Sequence, residues 1–385
     1  MLARFPKAPY LPSPETHFAQ MKMRNDPEIP SYPPLYFVRI TEKIRRFFLR
    51  MNRRFTHPNV VIWEMVHNMW LAAGISVVAE LGIADLLKDG PRSIDELAAL
   101  TNTHTCSLYR VMRMVASHGI FREQKGRQFV TTSLAVPLQD DQIRYLILIH
   151  LNCNHFEMFG GLIKSVRTGK TVSGEDSGRI LFDHIGNDDR RNEWFNKAMT
   201  SASRMQVPAL LSAFTFKKFG NIIDIGGGEG LFLVNILDRV KKSCGVVFDL
   251  PGALLKTSDM IDSHSLSGRM KQVAGDFFQS VPGGGDLYIL KSVLHDWDDE
   301  SSLKILRNVH KVMDRESSLL VIEVVLDEGN QLSFGKMTDI LMLAAAGGKE
   351  RTHAQWNKLL KEAGFRIRKI HSTITPHSLI EAKKI

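Results

Sequence analysis

The spacing of apolar positions divides the chain into stretches of different character. Ile40, Ile44, Phe47, Phe48, Met51 and Phe55 recur at helical spacing with basic residues between them, which predicts an amphipathic helix. From Pro58 to about Met205 the pattern stays mainly helical. Within it, Ser93 is followed three residues later by Glu96, a capping-box spacing that predicts a helix over 93–100. A second helix is predicted over 105–118, ended by Gly119. Residues 120–123 and 128–132 flank Lys125-Gly126-Arg127 and read as a β-hairpin. Helix, turn, helix and hairpin in this order form a winged-helix pattern.

The last 180 or so residues alternate short β-rich runs (221–225, 245–250, 272–274, 286–290, 319–326, 365–372, 378–382) with helical stretches. Alternation of this kind predicts a parallel sheet with helices on both faces. The final two runs are separated by only 373–377, too short for a crossover helix, so they should pair as an antiparallel hairpin. Three segments follow: a Pro-rich extension and basic helix over 1–56, a helical winged-helix-like domain over 57–205, and an α/β domain over 206–385.

Composition narrows the class. Eight of the fifteen prolines lie in the first 34 residues, which should be extended or loosely ordered. The net charge of +9 is concentrated: Arg39 to Arg54 holds seven Lys/Arg against Glu42 and supplies +6 of it. That is a basic arm, which leaves the rest of the chain nearly balanced. It reads as a helix packed on a neighbouring subunit or on its own core, with membrane-surface association of 37–55 as the other use. No run approaches about 18 uninterrupted apolar residues, so stable membrane insertion is not expected. No apolar signal core begins the chain, and Cys106, Cys153 and Cys244 have no paired spacing, so a cytoplasmic compartment is expected.

The winged-helix pattern raises DNA binding, with Arg110 and Arg113 as candidate phosphate contacts. Yet Leu108, Tyr109, Val111, Met112 and Val115 make the second helix mostly apolar, whereas a recognition helix presents a polar face to base edges. Burial in a subunit interface is the expected use, hence a homodimer and no nucleic-acid partner.

The chemistry sits at the ends of successive strands. The first ends Asp224-Ile225-Gly226-Gly227-Gly228-Glu229-Gly230 before a helix, a turn at which a ligand can approach the backbone. It fails the dinucleotide fingerprint, because Leu231 stands where the third glycine belongs. Asp224 suits an ammonium-bearing ligand. Asp249, 25 residues later, is placed to hold ribose hydroxyls. In Gly275-Asp276-Phe277-Phe278 a carboxylate can accept an adenine amino group while a ring covers the base. Lys291, ending the fourth strand, can pair with an amino-acid carboxylate.

Beyond Lys291, His295 lies at the mouth of the same pocket, where an imidazole can take a phenolic proton at neutral pH. Glu323, inside the apolar run 320–325, and Glu350 are the acids that could orient it. A charge inside a buried strand is costly unless partnered. No metal is expected, since the acids after His295 are consecutive helix-start residues that diverge.

Taken together, Asp-Ile-Gly-Gly-Gly-x-Gly, Phe-Asp-Leu-Pro, Gly-Asp-Phe-Phe, Leu-His-Asp-Trp and Gly-Gly-Lys-Glu-Arg-Thr resemble the caffeic acid/acetylserotonin O-methyltransferase family in order and spacing. The likeness runs from about Pro58 to the C-terminus. It implies an α/β fold, a Rossmann-like seven-stranded methyltransferase domain preceded by a mainly helical, winged-helix-like dimerisation domain. It implies S-adenosyl-L-methionine held near Gly226, Asp249, Leu250, Asp276, Phe277 and Lys291. It also implies His295 as general base flanked by Glu323 and Glu350, and Phe195 and Met199 lining the pocket of a small-molecule acceptor. Two departures lie on the acceptor side: Ala202 stands where plant phenylpropanoid members carry a histidine, and the loop before Gly347 is one residue shorter. Both point away from phenylpropanoid acceptors. N- or C-methylation on the same fold, and a DNA-binding regulator with S-adenosylmethionine as effector, are the alternative readings.

Overall fold

The computed structural model of the chain describes residues 35–140, 142–151, 153–172 and 189–385. The Pro-rich segment 1–34 lies outside the described residues. The first helix, α1 (Leu35–Phe55), buries none of its residues. The next, α2 (Pro58–Glu80), starts at a proline behind His57, whose ring accepts from Asn59 N. Only Gly74, Val78 and Ala79 of α2 are buried, and Ile62, Trp63, Met69 and Trp70 stand exposed. By length and composition α2 could cross a membrane. Uninterrupted apolar runs miss it because Glu64, His67 and Asn68 break the pattern.

A two-residue strand β1 (Arg92–Ser93) leads into α3 (Ile94–Leu100), where the capping box forms: Ser93 Oγ accepts from Glu96 N at 3.2 Å, and Glu96 Oε2 accepts from Ser93 N at 2.7 Å. In α4 (Thr105–Ser117) Leu108, Met112 and Val115 point inward. Gly74 lets α2 lie against α4, since a Cβ there would stand 2.1 Å from Met114 Cε. The hairpin is β2 (Phe121–Gln124) and β3 (Gln128–Thr131), and β1 adds to β3 as a third strand. A two-residue strand is too short to show alternation, so only the hairpin was legible.

The second part is one sheet of β4 (Asn221–Ile225), β5 (Cys244–Asp249), β6 (Met270–Ala274), β7 (Leu287–Lys291), β8 (Ser318–Leu326), β10 (Phe365–Ser372) and β11 (His377–Lys384). Their order is β10-β11-β8-β7-β4-β5-β6, with β4 to β8 parallel and β10, β11 antiparallel. The seven strands are those expected. An eighth, β9 (Arg351–Thr352), pairs with the end of β8 off this path. Strand β6 begins two residues earlier than its pattern indicated, because Lys271 and Gln272 are exposed on the sheet edge and only Met270 is buried.

Alternate residues feed two apolar layers. Ile222, Leu287, Ile289, Leu320 and Ile322 pack on one side with Phe232, Leu233 and Leu237. Ile223, Ile225, Tyr288, Leu290, Leu319 and Val321 pack on the other with Ile305, Val309 and Trp356. Burial on both faces is why these strands read as continuous apolar runs. Strand order reverses between β4 and β7, which opens a crevice at their C-terminal ends. A long helix, α5 (Asp189–Ala213), packs against both the helix Arg144–His150 and the helix Leu231–Arg239, joining the two parts.

Trp356 is fully buried and donates Nε1–H to Val324 O at 3.4 Å. Trp356→Ala is expected to cost about 3–5 kcal/mol of unfolding free energy, read by urea denaturation. A loss below about 1 kcal/mol would contradict the packing described here.

Candidate active site

The crevice is floored by the turn after β4. Gly226, Gly228 and Gly230 all have positive φ (67°, 58° and 87°), a path that side chains with a Cβ rarely follow. Asp249 ties this turn to the end of β5: its Oδ2 accepts from Gly228 N and its Oδ1 from Leu250 N, each at 2.7 Å. Burial raises the Asp249 carboxyl, and the two backbone donors pull it back. Asp224 lies directly beneath, its Oδ2 being 2.8 Å from where a Gly227 Cβ would be. It is buried with neither oxygen hydrogen-bonded, and burial pushes it up to about 7 against the pull of Lys291. A buried carboxylate without a donor is costly, so this pair of oxygens asks for a cationic partner.

Asp276, just past β6, accepts from Phe278 N at 2.8 Å. The Phe277 ring packs 5.0 Å from that of Phe278 and 6.0 Å from that of Trp297, forming an aromatic lip. Leu250 is exposed at the same edge. Lys291 Nζ donates to Ser203 Oγ at 3.2 Å; its burial lowers the ammonium's pKa, and Asp224 and Glu323 oppose that.

Ser203 comes from α5, which covers the crevice. A row of polar side chains on α5 grips the loops beneath: Asn192 and Asn196 donate to Gly252 O, and Thr200 donates to Glu229 Oε2 at 2.7 Å. Phe195 and Met199 stand one turn apart beside this row, both half-buried.

After β7 the chain turns sharply at Ser292 (φ 53°) and enters a short 3-10 turn, Leu294–Asp296. Glu323 sets that turn, its Oε1 accepting from both Val293 N and Leu294 N at 2.9 Å. Its other oxygen is 3.8 Å from His295 Nδ1 and has no hydrogen-bond partner. Glu350 Oε1 is 3.1 Å from the same Nδ1 and also accepts from Thr338 Oγ1 at 2.9 Å. Asp296 Oδ1 stands 3.5 Å from His295 Nε2.

Burial alone would lower the imidazole's pKa. The charges of Glu323 and Asp296, with the hydrogen bond that His295 donates to Glu350, outweigh it and hold His295 well above the ordinary imidazole range. Burial pushes Glu323 up to about 7 and Asp296 to about 6. With Nδ1–H given to Glu350, Nε2 is the nitrogen left to exchange a proton.

The structure thus brings His295, Glu323 and Glu350 into one cluster, and Gly226, Asp249 and Lys291 around one turn. Atoms of the three cluster residues lie within 4.8 Å of one another, a spacing that ligands to a cation also have. Of the acids after His295, Asp296 stays beside the imidazole and the next two turn away from it. Asp298 caps the helix α6 (Asp299–Val312), while Asp299 pairs with Lys349 and Arg351.

Several contributors escaped the sequence reading. Asp296, Thr338 and Asp339 complete the cluster; Asp339 Oδ1 accepts from Glu350 N at 2.9 Å. Arg351 is fully buried and donates to Leu294 O at 2.8 Å and Trp297 O at 3.0 Å, clamping both ends of the histidine turn. Its place beside Glu350 was the only signal. His377 is buried with Nε2 3.3 Å from Ser292 Oγ, and burial together with the Lys291 and His295 charges pushes it down to about 3.

Comparison with known proteins gives two family matches: an O-methyltransferase domain over residues 159–366 and an O-methyltransferase dimerisation domain over 63–139. The phenazine O-methyltransferase PhzM of Lysobacter antibioticus is 34% identical over 328 residues, covering 84% of this chain and 96% of that protein. The crystal structure of LaPhzM superposes with a TM-score of 0.81 at 33% identity, over 86% of this chain and 100% of that one. The O-methyltransferase NcsB1 from neocarzinostatin biosynthesis, solved with S-adenosylmethionine and 2-hydroxy-5-methyl naphthoic acid, has a TM-score of 0.71 at 28% identity over 82% of this chain and 96% of that one.

Gly348 packs against the histidine turn so closely that a Cβ would stand 2.0 Å from His295 O and 2.4 Å from Asp296 C. Both are backbone atoms, so the turn itself must move. Gly348→Ala is expected to lower kcat about 10²-fold, the cost of a displacement near 1 Å, while the donor's Kd changes little. Wild-type turnover in this variant would show that the turn's position is not what the reaction depends on.

Proposed function

The chain belongs to the family of S-adenosylmethionine-dependent O-methyltransferases, and from that premise we propose that it methylates a hydroxyl of a small fused-ring aromatic acceptor with His295 as general base. The observation that carries this reading is the imidazole wedged between Glu323 and Glu350 one short turn beyond the glycine-floored crevice. The phenazine and naphthoic acid in the names of its relatives support an acceptor of that size and planarity.

The donor, when bound, supplies a methyl group on a positively charged sulfur. The residues present fit it. Asp224 offers two unpartnered buried oxygens to its ammonium, Asp249 a fixed carboxylate to the ribose, Asp276 and Phe277 an acceptor and a ring to the adenine, and Lys291 a cation to its carboxylate. Gly226 and Leu250 border the same space. Phe195 and Met199 hold the acceptor ring, and Ala202, one turn on from them, adds no charge to that wall.

His295 Nε2 takes the phenolic proton as the oxygen attacks the methyl carbon, and the carbon–sulfur bond breaks to leave a neutral thioether. The imidazolium so formed is stabilised by Glu323, Asp296 and Glu350. Their charges make the neutral imidazole a stronger base than free histidine. The exposed apolar side of α2 and the dimerisation match over 63–139 support a homodimer. A cytoplasmic enzyme of secondary metabolism is the setting that suits its relatives.

Asp249→Ala should weaken S-adenosylhomocysteine binding about tenfold or more, since a charge-assisted hydrogen bond contributes about 1.5–3 kcal/mol. Calorimetry giving an unchanged Kd would sink the ribose assignment.

His295→Ala should lower kcat by about 10²–10⁴-fold with donor affinity little changed. The pH profile fixes the sign. The base works only when deprotonated, and its pKa is raised, so kcat/KM should climb with pH along a limb lying above the ordinary imidazole range. Glu323→Gln removes the largest stabiliser of the charged imidazole, so that limb should move to lower pH while the plateau falls. A limb that stays put in Glu323→Gln would assign the titration to another group.

A further inference from the structure

We infer that α1 is a docking helix for an anionic lipid surface, so that the enzyme works as a peripheral membrane protein. The helix lies outside both family matches, which begin at residue 63, and no function assigned above uses it. Its side chains sort into distinct sides. Leu35, Val38, Glu42 and Arg46 follow one another at helical spacing and are partly covered, as is Met51 on the other side, and Arg46 donates to Gln331 Oε1 at 2.9 Å. Arg46 is where this side meets the chain's own body. On the opposite side Phe37, Ile40, Ile44, Phe47, Phe48 and Phe55 all face solvent, with Phe47 57%, Phe48 64% and Phe55 81% exposed. Lys43, Arg50 and Arg54 run along one border of that apolar face at helical spacing, and all three are exposed.

Charge selects the occupant. The segment carries +6 of the chain's +9, so a two-fold contact of α1 with its own copy would set like charges against each other. Nucleic acid would meet the cations but leave the aromatic and aliphatic side chains in water. An anionic bilayer satisfies both: the apolar face enters the headgroup boundary to a depth of about 5–10 Å, and the flanking cations meet the lipid phosphates and carboxylates. Because the apolar side of α1 already faces solvent, docking needs no rearrangement of the fold.

The test is co-sedimentation of the full chain with phosphatidylcholine vesicles containing about a quarter phosphatidylserine, against phosphatidylcholine alone. Binding is expected only to the anionic vesicles and should weaken as salt is raised. The pair F47E/F48E, and separately R50E/R54E, should each reduce binding about tenfold or more, because each removes apolar burial or surface charge. All four side chains are exposed, so sedimentation mass and methyl transfer should stay at wild-type values in both variants. The inference is overturned if the intact chain ignores anionic vesicles or if the variants bind like wild type. It is equally overturned if F47E/F48E changes the sedimentation mass, because the apolar face would then cover a second copy.

Discussion

A carboxylate inside a sheet that is buried on both faces is the constraint from which the rest of the site follows. Glu323 takes the next place along β8 after Leu319 and Val321, on the same side of the sheet, among residues that are wholly apolar. Taking a charge out of water there costs several kcal/mol, on the order of what a small domain's whole stability amounts to, unless donors meet it. Two of those donors are backbone N–H groups, Val293 and Leu294, so the chain after β7 must turn tightly at that depth. The turn requires the left-handed backbone of Ser292, and it delivers His295 to the remaining Glu323 oxygen. The geometry of the base is thus a consequence of making a buried charge tolerable.

A turn held at one end would pivot. Arg351 fixes the other end through the carbonyls of Leu294 and Trp297 and is itself balanced by Asp299. Gly348 closes the remaining side, with Lys349 N donating to His295 O at 2.9 Å. The segment Gly348–Arg351 therefore contributes one carboxylate to the imidazole, one guanidinium to its backbone and one missing side chain to its packing.

Much of this was legible in the sequence for physical reasons. The parallel strands show because burial on both faces makes their apolar runs continuous, and the capping box at Ser93 shows because it is local. Groups ending successive strands must gather at one edge of a parallel sheet, so Asp249, Lys291 and His295 could be placed without coordinates. What stayed hidden is contact between segments far apart in sequence. Thr338 and Asp339 meet Glu350 from an amphipathic helix, Phe334–Ala345, with nothing in its pattern to mark them. His377 begins an edge of β11 and reaches the site only because β11 runs antiparallel beside β8. Arg351 reads as a surface cation until its carbonyl partners are seen.

Strand alternation also separates the two halves of the chemistry. Lys291 follows Leu287 and Ile289 on the side of the sheet covered by α5, where it meets Ser203 and feels Asp224. Glu323 and the histidine turn occupy the opposite side, so the Lys291 ammonium and the His295 imidazole are kept apart by the sheet edge itself. That separation matters electrostatically. An ammonium directly beside His295 would lower the basicity that the carboxylates confer. His377, on the side of β11 that Leu379 also faces, stays neutral because burial and the charges of Lys291 and His295 disfavour its protonation. It therefore adds no third positive centre beside them.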